Sequence, residues 1–264
     1  MPTQRSISML STGLLKVVFS CLATALPVYR RNAKRPPPAG PENVECAAAL
    51  LLLTTMLDSH LTRLMCLAPR EGLTTEAMLS QKVDTYLSGD NHAQLRSHLD
   101  EVVAARDAVT HAHLWDRATE HDADSRLLSD SWSISARTHR TSRLKRTVDL
   151  ASGATTSRTL AMNVVPTNVD LYDVAKALIV VCRVMAELEH EHGNPAAWIG
   201  PFPSAEDLVP LFLPDRRDDE LEAWISGLLG QLHEYHVEDI VRLFDLTIHR
   251  TSGKPEFFGI SCRR

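Results

Sequence analysis

Chemistry concentrates in one short stretch of this chain, Arg106-Asp107-Ala108-Val109-Thr110-His111, with a second imidazole at His113. A guanidinium is a permanently charged planar fork suited to phosphoryl oxygens, and an imidazole moves protons near neutral pH. Together they suit phosphodiester chemistry. At 3.6 residues per turn, Asp107 and His111 stack on one helix face, whereas Arg106, Thr110 and His113 line the neighbouring stripe. With Val109 marking the apolar stripe, Arg106 and His113 fall within it and Asp107 and His111 lie nearly opposite. An arginine drawn toward a core must find an acceptor, because an unpaired buried charge is strongly destabilising. Asp58, set among apolar neighbours in Thr55-Met56-Leu57-Asp58-Ser59-His60-Leu61, is the expected partner. The plainer reading of the same residues is a structural arginine–aspartate pair.

Other chemistries find less support. The sequence holds 12 histidines, but His111-x-His113, His190-x-His192 and His233-x2-His236 match no ligand spacing, and H-E-x-x-H is absent. No catalytic metal and no cofactor is expected. Neither a P-loop, G-x-G-x-x-G, G-x-S-x-G nor C-x-x-C occurs, which removes nucleotide-triphosphate, dinucleotide and serine-hydrolase readings. Trp115 and Trp132 have rings able to stack on a base, although tryptophan in a helical protein is more often plain core.

These residues need elements to position them. A chain of 264 residues that is 44% hydrophobic and 23% charged can bury a real core, and 11 glycines with 5% aromatics are too few for a sandwich or barrel. Helices should dominate. The five cysteines (Cys21, Cys46, Cys66, Cys182 and Cys262) are scattered, which suggests neither a disulfide framework nor a zinc ribbon and points to a reducing cytoplasm. Met9 to Val28 is apolar with basic flanks like an export signal, yet Lys16 interrupts it and leaves too short a run to span a bilayer. It is read as a packing helix, with no membrane partner.

Residues 1–42 are expected to form that helix and a linker, since Arg35-Pro36-Pro37-Pro38-Ala39-Gly40-Pro41 cannot continue a helix. A long core helix then runs from Glu42 to Leu67, a second from Thr75 to Leu87 and a third from His92 to Trp115. In the third, Leu95, Leu99, Val102 and Val109 form the apolar stripe. Ala104, Ala105, Ala108 and Ala112 form a flank on which another helix can approach closely. Over about residues 125–166 the alternation in Trp132-Ser133-Ile134-Ser135 and Thr147-Val148-Asp149-Leu150 predicts a small inserted hairpin. Asn168 or Asp170 caps a strong helix from Leu171 to Glu191, stopped at Gly193-Asn194-Pro195. Residues 194–264 are expected to be a helical appendage, with helices near 218–232 and 234–246.

Arg106-x4-His111, with a polar residue directly after the arginine and a long acidic-residue-bearing helix upstream, resembles the R-x4-6-H signature of HEPN domains; His113 satisfies the longer spacing. The resemblance spans residues 43–193. It implies a mainly α, up-and-down helical bundle with a small β-hairpin insertion and extra terminal helices. It also implies a homodimeric, metal-independent endoribonuclease of toxin–antitoxin or phage-defence type, with an antitoxin or nucleotidyltransferase partner on a separate chain. In that light Arg106 would hold the scissile phosphate, His111 or His113 would move protons, Asp107 would orient the imidazole, and Asp58 and Thr110 would support them. Asparagine is commoner in the family where this chain has Asp107. Pairing two motif helices across a two-fold axis would gather two Arg–His sets in one cleft.

Arg137, His139, Arg140, Arg143, Lys145 and Arg146 form a basic run in a chain of net charge −5. With RNA as substrate, Arg137, Arg140, Arg143, Lys145 and Arg146 are its expected path; a solvated hairpin face is the alternative. An inactive relative serving as a binding or scaffolding module remains the competing function. A transcriptional regulator lacks a recognition helix with a basic face.

Overall fold

The computed structural model describes residues 6–7, 11–32, 42–111, 115–125, 127–134, 141–149, 153–192, 223, 225–227, 248–251, 254–257 and 260–261. In chain order these form β1 (Ser6–Ile7), α1 (Ser11–Asn32), α2 (Glu42–Leu67), α3 (Leu79–Tyr86), α4 (Ala93–Thr110), β2 (Trp115–His121), β3 (Leu127–Ile134), α5 (Thr141–Thr147), α6 (Leu171–His192), β4 (Ile248–Thr251), β5 (Lys254–Phe257) and β6 (Ile260–Ser261). The fold is mainly α.

Helix α2 is the spine: α1 packs along it, and α6 and α4 close over it and over each other. Its Ala49, Leu50, Leu53, Met56, Leu57 and Leu61 are fully buried. By length and composition α2 could cross a membrane, and half of that apolar window is buried in the fold, where α1 and α6 pack against the helix. On α1, Val18, Leu22, Ala25 and Tyr29 supply that cover, so the apolar run near the N-terminus packs as expected. On α6, Val174, Leu178, Val181, Met185 and Leu188 form the predicted inward stripe.

Helix α6 begins where a capping residue makes it begin. Asp170 Oδ1 accepts from the Tyr172 and Asp173 backbone N–H groups at 2.9 and 3.3 Å, and Asp173 Oδ2 accepts from the Asp170 N–H at 2.9 Å. That reciprocal box satisfies amides the helix itself leaves open.

Three expectations give way. Helix α4 ends at Thr110, so Trp115 opens a strand. The hairpin pairs Trp115–His121 with Leu127–Ile134 in antiparallel register, Trp115 opposite Ile134, instead of joining 132–135 to 147–150. Its reversal falls at Asp122 to Ser125, where Ser125 takes the left-handed conformation. Of the segment expected to supply the return strand, Thr147 is the last residue of α5 (Thr141–Thr147), Val148 makes an isolated bridge to Ser157, and Leu150 lies outside the described residues. In the C-terminal region, residues 223 and 225–227 are helical, whereas β4 and β5 form a second hairpin where only helical structure was expected. The expected helix at 234–246 lies outside the described residues.

Candidate functional site

The C-terminal half of α4 carries Arg106, Asp107 and Thr110, and His111 follows as its C-cap. The buried face of α4 comprises His98, Leu99, Glu101, Val102 to Ala105 and Ala108. Val109 therefore sits at the edge of the stripe and not at its centre. Arg106 and Asp107 consequently lie side by side on the rim, with side chains 30% and 24% exposed. The inward arginine expected from the sequence is not found.

Asp107 is the hub. Its Oδ1 lies 3.0 Å from Arg106 Nε, and its Oδ2 accepts a 2.9 Å hydrogen bond from Nη1 of Arg143 on α5. Arg143 also donates Nη2 to Ser80 Oγ on α3 at 3.0 Å, and its Nε lies 3.5 Å from Asp100 Oδ1. Asp100 Oδ2 in turn lies 3.4 Å from Nη2 of Arg146. Helical geometry explains this assembly: Asp100 and Asp107 are seven positions apart, which puts them on one face of α4 about 10 Å apart. Arg143 and Arg146, three apart, share one face of the crossing helix α5. The result is an alternating row Arg106–Asp107–Arg143–Asp100–Arg146, three cations against two carboxylates. Burial raises the Asp100 carboxyl above its ordinary pKa, with the neighbouring Arg143 and Arg146 charges opposing that shift and Asp84 adding to it.

Asp58 belongs elsewhere. It accepts a 2.8 Å bond from Nζ of Lys82, a lysine only 2% exposed that also donates to Thr62 Oγ1 at 3.1 Å. The expected Arg106–Asp58 pair is therefore replaced by Arg106–Asp107, and the counter-charge for Asp58 comes from α3. Thr110 donates its hydroxyl back to the Arg106 carbonyl at 2.8 Å, which occupies it in closing the helix. His111 is half-buried, and its backbone N–H donates to the Asp107 carbonyl at 2.9 Å. His113, Arg137 and Arg140 lie outside the described residues.

Of the expected basic path, Arg143 is held in the row, while Lys145 and Arg146 are exposed on α5. Arg146, with 67% of its side chain exposed, edges an open groove of about 370 Å³ between α3, α4 and α5. Arg158 also lines it, on a turn that Glu101 organises: the carboxylate accepts from Ser157 Oγ at 2.6 Å and from the Thr159 and Leu160 N–H groups at 2.9 and 2.7 Å. Ser80, Asp100 and Arg158 were not anticipated. Asp100 alone carried a sequence signal, its seven-residue spacing from Asp107.

The expected contact flank, Ala104, Ala105 and Ala108, is fully buried within the chain, and Ala112 lies outside the described residues. Those alanines serve the chain's own helix packing. Among the described residues no group of three or more His, Cys, Asp or Glu side chains is placed to hold a metal ion.

Fold and site together define a mainly helical protein with an arginine–carboxylate row across two crossing helices. Comparison with protein families, curated proteins and solved structures returns no match to this chain.

Proposed function

We propose that this protein is a metal-independent endoribonuclease of the HEPN type, acting in toxin or phage-defence roles as a homodimer. The observation that carries this reading is the arrangement at the end of α4. There Arg106, Asp107 and His111 fall within about one and a half turns, half-exposed, beside the guanidinium of Arg143. In the proposed reaction Arg106 stabilises charge developing on the phosphate. His111 takes the proton of the ribose 2'-hydroxyl, whose oxygen attacks phosphorus, and the partner copy's imidazole protonates the departing 5'-oxygen. The second copy approaches by the exposed edge of α4, since its alanine flank is already covered.

The test is cleavage of a mixed RNA by purified protein in the presence of EDTA. Wild type should cleave, and His111→Ala and Arg106→Ala should each cut the rate by a factor of at least about 100 while keeping the helical circular dichroism. A folded wild type that leaves RNA intact refutes the reading.

One observation favours a second reading. Asp107 already pairs with both Arg106 and Arg143, as a structural clamp would. A catalytically silent module that binds RNA or a protein through Arg146 and Arg158 then accounts for the surface, and it is the outcome if RNA survives.

A further inference from the structure

The Asp107 carboxylate bridges two guanidiniums with one oxygen each: Oδ1 faces Arg106 Nε at 3.0 Å and Oδ2 faces Arg143 Nη1 at 2.9 Å. A phosphodiester presents two non-bridging oxygens that paired arginines recognise in the same manner. The bridge is incomplete as hydrogen bonding. Arg106 Nε and Arg143 Nε are both buried nitrogens whose N–H finds no acceptor in line, although carboxylate oxygens stand 3.0 and 3.5 Å away. Aspartate thus supplies charge to the two forks without satisfying all their donors, and a buried donor left unsatisfied is destabilising. The row as a whole keeps one positive charge in excess, three arginines against two aspartates.

From this geometry we propose that Arg106 and Arg143 form a two-arginine clamp for an RNA phosphate, with Asp107 as a built-in competing anion. Arg143, from α5, thereby becomes a substrate ligand of the α4 site, and the protein carries its own brake on substrate binding. The phosphate displaces the carboxylate from both forks, so binding is a competition between an internal anion and an external one. Ser80 and Asp100 keep Arg143 in place from the far side during the exchange. This inference rests on RNA being the substrate, but it concerns binding and not the cleavage step.

The experiment measures binding of a 2'-O-methyl oligonucleotide, which cannot be cleaved through its 2'-oxygen, by fluorescence anisotropy at one fixed salt concentration. Asp107→Asn keeps the shape of the side chain and removes its charge, and should tighten binding about tenfold, the effect of one favourable charged contact. Asp107→Asn/Arg143→Ala should lose that gain. Arg143→Lys in the Asp107→Asn background keeps the charge without the fork and should fall between them, which guards against a folding defect in the alanine variant. Unchanged affinity in a folded Asp107→Asn protein overturns the clamp, as does a gain that survives both replacements of Arg143. Cleavage of unmodified RNA by the wild type is scored separately. Cleavage without an Asp107→Asn gain removes the clamp alone, whereas that gain in a protein that never cuts RNA removes catalysis alone.

Discussion

Single residues in this protein are decided by who answers their charge. Glu101 and Lys82 are both buried, and each is answered differently. Glu101 receives a hydroxyl and two backbone amides from residues 157–160, so Glu101→Gln removes the charge that draws all three donors. The expected loss is about 2 kcal/mol, the range for hydrogen bonds to a charged group, read from urea unfolding, and the Arg158 edge of the groove should loosen with it. Lys82 meets one exposed partner, Asp58, and the hydroxyl of Thr62. Lys82→Met fills the same space and frees Asp58 to water, so it should cost under about 1 kcal/mol by the same measurement, because Asp58, with 46% of its side chain exposed, is answered by solvent once the lysine is gone. A loss of 3 kcal/mol or more would mean that the pair itself holds α3 on α2. The Arg106–Asp107–His111 grouping was legible in the sequence because helical spacing is local. Its partners were not: Arg143 and Ser80 are separated by 63 positions, and Arg143 and Asp107 by 36. Nothing in local spacing distinguishes Asp58 from Asp107 as the acceptor for Arg106; only the packing of α3 beside α2 assigns Lys82 to the former.

At the scale of elements, the helices with unbroken apolar stripes were readable and the polar ones were not. Helices α2 and α6 follow their 3.6-residue period from the first turn to the last. Strand β2, Trp115-Asp116-Arg117-Ala118-Thr119-Glu120-His121, has one buried residue followed by six exposed ones; it lacks the alternation by which a half-buried strand is recognised. Helix α5 was hidden for the opposite reason, since a seven-residue helix of Thr, Ser, Arg and Lys with only Leu144 as its apolar anchor gives no period to count. Helix α2 also sets a pH dependence. Burial, with the Arg63 charge adding to it, lowers the His60 imidazole from its ordinary pKa of 6.5 to about 4. Below 6.5 the unfolded chain takes up a proton that the folded chain refuses, so this group's contribution is whole above pH 6.5 and is lost as pH falls toward 4. The loss amounts to about 3 kcal/mol at 1.36 kcal/mol per pKa unit. His60→Leu should flatten the acid limb of stability measured between pH 7 and 4. A variant with the same acid slope as wild type would place the titration elsewhere.

Across the whole molecule the question is whether α4 faces its own chain or a second copy. Small residues at 104, 105 and 108 are the kind that let helices approach closely, and the sequence alone leaves open which helix approaches. Packing answers it: all three are fully buried among the chain's own elements, with α4 lying against α6, α2 and α5. A bulky side chain at 108 therefore acts inside one chain. Ala108→Leu should lower stability by about 1–3 kcal/mol, the usual cost of overpacking a filled core. The shift in unfolding midpoint should be the same at low and high protein concentration, because mass action enters only when a partner is released. If the destabilisation instead grows on dilution, and sedimentation shows a dimer dissociating in the variant, then the alanine flank is shared between copies. The proposed pairing of two copies would in that case run through the middle of α4 and not along its exposed edge. A concentration-independent loss leaves the rim that bears Arg106, Asp107 and His111 as the part of α4 open to RNA or to a second copy.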